Sequence, residues 1–129
     1  MTNHSMTKIT FIGEKPSITA FEKGWTWKSG RLAAKTLFDA LHAMDIDPQA
    51  CEFLNLFGDH PDDPECPGTG RLSTISAIAE QNIVIAMGLK VARELQAANI
   101  PHRVMRHPAA RGAGRRRDLY LAHVRETLA

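Results

Sequence analysis

The sequence predicts an α/β protein, a three-layer α/β/α sandwich built on a four-stranded, mainly parallel sheet. Three observations predict it. Short β-branched runs alternate with longer stretches of helical period along the whole chain. The run Asn82-Ile83-Val84-Ile85-Ala86 is almost wholly apolar, the pattern of a central strand covered on both faces. The composition, 43% hydrophobic and 23% charged over 129 residues, suits one compact domain spanning 1–129. A chain of this size hides about two-thirds of its extended surface on folding, so neither disulfides nor a metal are needed to hold it.

The elements follow in order. Lys8-Ile9-Thr10-Phe11-Ile12 alternates, is β-branched and stops at Gly13, so it reads as a first strand. From Ser29 onward Ala34, Leu37, Phe38, Leu41 and Met44 repeat at helical spacing, with Thr26 or Ser29 as cap and Asp47-Pro48 as stop. Cys51 to Phe57 is a second strand, closed by Gly58-Asp59. A loop from His60 to Gly70 carries three prolines and three acids, and Leu72, Ile75, Ile78 and Ala79 mark a short helix after it. Asn82 to Ala86 is the third strand. Gly88 opens a helix with Val91, Ala92, Leu95 and Ala98 inward, ended by Asn99 and Pro101. His102 to Arg106 is a fourth strand, and Arg115 to Leu128 a last helix with Leu121, Val124 and Leu128 inward. The order of the strands in the sheet is not fixed by these patterns.

Charge is unevenly spread. Residues 1–100 carry nine Lys/Arg against twelve Asp/Glu, whereas residues 101–129 carry seven Arg against Asp118 and Glu126. A basic end on an acidic body suggests a localised anion site, with a solvated arginine-rich helix face as the plain alternative. No apolar stretch approaches the length of a membrane span, and Met1-Thr2-Asn3-His4-Ser5 lacks the apolar core of a secretion signal. Two cysteines without a Cys-x-x-Cys pattern point to a reducing, cytoplasmic setting. His60, Cys66 and Cys51 match no zinc spacing, so no metal and no cofactor are expected. Phosphate-binding and dinucleotide glycine motifs are missing after the first strand, as is a Gly-x-Ser-x-Gly elbow.

In open parallel sheets, ligands bind beyond the carboxyl ends of the strands. Strand one ends in Gly13-Glu14-Lys15-Pro16-Ser17, strand two carries Asn55 near its end, strand three ends at Gly88, and strand four runs into His107-Pro108-Ala109-Ala110. A carboxylate, a carboxamide and an imidazole are thereby delivered to one edge. Each has a bland alternative: a solvated loop acid, an amide satisfying neighbouring backbone, and a surface or capping histidine. Their convergence favours a site.

These segments resemble the uracil-DNA glycosylase superfamily, and most closely its small bacterial and archaeal branch, the family 4 type. Gly13-Glu14-Lys15-Pro16-Ser17 resembles that branch's Gly-Glu-Ala-Pro-Gly motif. Trp27 through Leu41 resembles the aromatic turn and leucine-rich helix that follow. Phe53-Leu54-Asn55-Leu56-Phe57 is similar to its Ile-Thr-Asn-Val-Val strand, and Asn82 to Leu95 to its middle strand, Leu-Gly turn and helix. His107-Pro108-Ala109-Ala110-Arg111 resembles its His-Pro-Ser/Ala-Ala motif, followed by a basic helix. The resemblance covers roughly residues 8–128. The chain departs from the branch in three ways: it has two cysteines where an iron–sulfur cluster takes four, Ser17 replaces the second glycine, and Lys15 puts a cation beside Glu14.

The resemblance implies an N-glycosylase that removes uracil or a related damaged base from DNA. It makes Glu14 and His107 catalytic, Glu14 for the attacking water and His107 as donor to the departing base. Asn55 would read the base's amide edge, for which a carboxamide offers both a donor and an acceptor. Gly13, Pro16 and Ser17 would line the base site, and Trp25 or Trp27, with Trp27 the chosen candidate, would supply a stacking face. Arg111, Arg115, Arg116 and Arg117 would meet phosphates of the DNA. Only Ala109, Ala110 and Ala113 stand where the family wedges a duplex open, which implies a preference for single strands. The chain is expected to act as a monomer. Two alternatives stay open: a weak or inactive module that binds nucleic acid or nucleotides, and a plain α/β domain of a protein complex.

Overall fold

A computed structural model of the chain describes residues 8–109 and 117–129. The elements are β1 (Ile9–Gly13), α1 (Ile18–Lys23), α2 (Ala33–Ala43), β2 (Glu52–Asn55), α3 (Arg71–Ala79), β3 (Ile83–Met87), α4 (Leu89–Ala97), β4 (Arg103–Met105) and α5 (Arg117–Leu128). The protein is α/β, with one four-stranded sheet in the order β2-β1-β3-β4. All of its pairings are parallel, so the expected mainly parallel sheet is wholly parallel.

The side-chain alternation of the two central strands sorts the core into two halves. Phe11, Ile85 and Met87 face one way and meet Leu37 and Leu41 of α2 and Tyr120 and Val124 of α5. Ile12, Val84 and Ala86 face the other way and meet Ile75 of α3 and Val91 and Leu95 of α4. Helices thus cover both faces, which is why β1 and β3 read as apolar runs. Cutting Leu37, Ile85 or Leu95, each fully buried, back to alanine costs about 2–5 kcal/mol.

Three local expectations need correction. Thr26 and Ser29 do not cap α2. They belong to a separate 3₁₀ turn, Trp27–Ser29, in which Ser29 Oγ accepts from the Thr26 N–H at 3.0 Å. The residue before α2 is Leu32, at φ 56°. Ala98 is exposed because α4 stops at Ala97, with Asn99 left-handed at φ 58°. The chain also forms α1, which no periodicity announces, because its six residues bury none of their side chains.

With this strand order the chain leaves β1 toward β2 and leaves β3 toward β4. The switch point, where the connections diverge and a crevice opens, lies between β1 and β3 at their carboxyl ends.

Candidate functional site

At that crevice the backbone makes room before any side chain acts. Gly13, the last residue of β1, pairs with Asn55, the last of β2. The ladder then continues past both strands, with Leu56 N–H donating to Gly13 O at 2.8 Å and Phe57 N–H to Glu14 O at 2.9 Å. This zipper fixes Glu14 and Asn55 side by side. A β-carbon on Gly13 would stand 3.0 Å from Trp27 Cζ2 and 3.1 Å from Asn55 Oδ1, so the indole lies directly over the glycine. Gly88, after β3, has φ 100°, and a β-carbon there would stand 3.7 Å from His107 Cβ and 3.9 Å from a Glu14 carboxylate oxygen. The glycine lets the third strand end between the acid and the imidazole.

A hollow of about 280 Å³ opens here, lined by Glu14, Pro16, Ser17, Trp27, Asn55 and His107 among others. That is near the lower end of small-molecule pockets, about 300–1,000 Å³, and suits one ring rather than a large cofactor. Six of the seven residues expected to catalyse or bind the base therefore line one cavity. The seventh, Gly13, does not line it but lies against the Trp27 indole.

The side chains differ in how they are held. Trp27 Nε1–H donates to Asn55 Oδ1 at 3.0 Å. Because an indole nitrogen can only donate, this bond fixes which way the amide points. One lone pair of Oδ1 and both Nδ2–H donors stay available, for Nδ2 has no partner among the described residues. Trp27 stacks beside Phe53 with ring centres 6.0 Å apart and stands tilted to the His107 ring at 5.9 Å.

His107 Nδ1 accepts the Ala109 N–H at 2.9 Å, so in the neutral ring the proton sits on Nε2. Burial pushes the His107 pKa below its ordinary value, and the nearby Glu14 carboxylate offsets this only in part. Two bonds from α5 hold the backbone just before it: Arg106 N–H donates to His123 Nε2 at 2.8 Å, and Tyr120 Oη–H donates to Arg106 O at 3.2 Å. The Glu14 carboxylate makes no hydrogen bond or ion pair among the described residues, whereas Lys15 Nζ donates to the Asp63 carbonyl at 2.6 Å. The lysine is drawn to the acidic loop instead of to its neighbour.

Ser17 lines the hollow, but its hydroxyl caps α1, accepting from Ala20 N–H at 3.1 Å. Arg111, Arg115 and Arg116 lie outside the described residues. Arg117 is described only as the first residue of α5. Among the described residues no group of three or more His, Cys, Asp or Glu could hold a metal ion, and no helix is long and apolar enough to cross a membrane.

Sequence reasoning missed Arg71. Its guanidinium donates to the Asn55 carbonyl at 2.7 Å and to the Asp59 carboxylate at 2.9 and 3.3 Å. It ties the end of β2 to the loop that follows. Tyr120 and His123 were missed too, although their three-residue spacing places them on one helix face. Arg31 and Leu32, also at the hollow, carried no sequence signal beyond a basic and an apolar residue in a turn. Neither a protein-family model nor a curated protein matches the chain.

Proposed function

We propose that the protein is a uracil-DNA glycosylase-like hydrolase, cutting the glycosidic bond of uracil or a related base turned out of DNA. One observation carries the reading. Three groups with uncommitted polar atoms, the Glu14 carboxylate, Asn55 Nδ2 and His107 Nε2, line the same ring-sized hollow. The α/β architecture with the crevice at β1 and β3 agrees with it.

A base inside a stack is out of reach, so it must leave the stack at a cost of a few kcal/mol. In the hollow, Asn55 Nδ2 donates to a ring carbonyl, and the remaining Oδ1 lone pair accepts an adjacent ring N–H. The bond from C1′ to the base then breaks, and its electron pair leaves on the base. His107 Nε2–H donates to the carbonyl oxygen that gathers this charge. A ring kept neutral by burial is a fixed dipole that needs no reorganisation at that moment. Glu14 balances the positive sugar and accepts a proton from the water that attacks C1′. The released base anion is protonated by solvent. Under this reading the protein acts on single-stranded DNA as a cytoplasmic monomer.

The test is an alkaline strand-cleavage assay on uracil-containing oligonucleotides. Wild type yields product, while Glu14→Gln lowers the rate about 10²–10⁴-fold and His107→Ala about 10²–10³-fold, with binding retained in both. Binding without product in the wild type supports the inactive module instead. Undiminished product from both variants overturns the reading.

A further inference from the structure

Three non-glycine residues have positive φ among those described: Asp45, Asn99 and Leu32. The first two are of the types that tolerate it. Leu32 is not, and its conformation is more demanding. At φ 56° and ψ −128°, with Ala34 N–H bonded to Arg31 O at 3.1 Å, it occupies the first central position of a type II′ turn, about +60°, −120°. That position ordinarily requires glycine.

A leucine there strains the backbone, and strain of this kind persists where function holds it. Packing does not compensate fully, since Leu32 is 51% exposed. It sits at the hollow's edge together with Arg31, whose guanidinium lies 4.5 Å over the Trp25 ring. An apolar side chain and a cation are thus held side by side at the mouth of the cavity. A nucleotide has the matching pair of groups, an apolar ring face and an anionic phosphate.

We infer that the Arg31–Leu32 corner is the outer lip of the ligand site, Leu32 covering the exposed side of the bound base and Arg31 taking the adjoining phosphate. The inference rests on the nucleobase reading of the hollow and adds two contacts on an element distinct from the arginine-rich end.

The experiment measures binding of a short, labelled, uracil-containing single strand to the full chain, together with melting of the free protein. Leu32→Gly and Leu32→Ala each weaken binding about tenfold through lost apolar contact. Glycine relieves the turn and alanine does not, so Leu32→Gly melts about 3–5 °C above Leu32→Ala. Arg31→Ala lowers the slope of log affinity against log salt by about 0.7, the value for one phosphate on a single strand, whereas Leu32→Gly leaves the slope alone. Wild-type affinity in both Leu32 variants, alanine melting no lower than glycine, or an unchanged slope in Arg31→Ala overturns the lip. If wild type binds and cleaves while the corner variants match it, only this inference falls. If wild type does not bind the strand, the nucleobase reading falls with it.

Discussion

The two walls of the hollow are built by different means. On the β1–β3–β4 side, Glu14 and His107 are placed through main-chain atoms: the zipper beyond Gly13, the room left by Gly88, the Ala109 N–H on Nδ1, and the Tyr120 and His123 side chains holding the Arg106 backbone. Their reactive atoms are left without protein partners among the described residues. On the β2 side, Asn55 is gripped through side chains, with Trp27 on its amide and Arg71, braced by Asp59, on its carbonyl. The acid that must gain a proton and the imidazole that must donate from a neutral ring are held without spending their reactive atoms. A group that must present one fixed pattern is locked directly. Substitutions on the first wall should therefore change rate, and those on the second affinity and stability.

The largest contrast comes from pairing the Glu14→Gln rate loss with Trp27→Phe. The phenyl ring keeps the stack on Phe53 but cannot donate to Asn55. Affinity for a uracil-containing strand falls about 5–10-fold, as one hydrogen bond lost at about 1 kcal/mol implies, while the rate at saturation changes little. A rate loss matching that of Glu14→Gln would dissolve the distinction between the walls. Arg71→Ala should act in the same sense. It lowers stability by about 1 kcal/mol in urea unfolding and raises KM more than it lowers kcat.

The smallest effect is on pH. In the unfolded chain His107 titrates at its ordinary value near 6.5, and in the fold burial holds it lower. As pH falls below about 6.5 the unfolded state binds the proton first, so the stability contributed by the neutral buried ring is lost toward the folded pKa. Wild type should lose more stability than His107→Ala between neutral and mildly acid pH. A matching loss in the two proteins would contradict the burial assigned to this ring.

The same contrast explains what could be read in the sequence. The central strands and the longer helices were legible because they bury apolar residues at regular spacing, and strand ends gave Glu14, Asn55 and His107 through topology alone. α1 was not, because Ile18 and Phe21 are exposed and leave no stripe to detect. Arg71 and the Tyr120–His123 pair act on backbone atoms of residues distant in sequence, so their roles exist only once the chain is folded. Leu32 is the opposite case. Its type says nothing, and only its backbone angles make it conspicuous. The apolar runs of β1 and β3 mark the central strands, whereas nothing in the short patterns of β2 and β4 says which of them lies beside which.

The proposed chemistry requires that the hollow shared by Glu14, Asn55 and His107 hold a nucleobase. Titrating free uracil into isotope-labelled protein and following the side-chain N–H signals decides whether it does. Saturable shifts are expected to move together at Asn55 Nδ2, Trp27 Nε1 and the His107 ring, and to be lost in Asn55→Ala. Shifts centred on another part of the surface, or no saturable shift at these three groups, would contradict it.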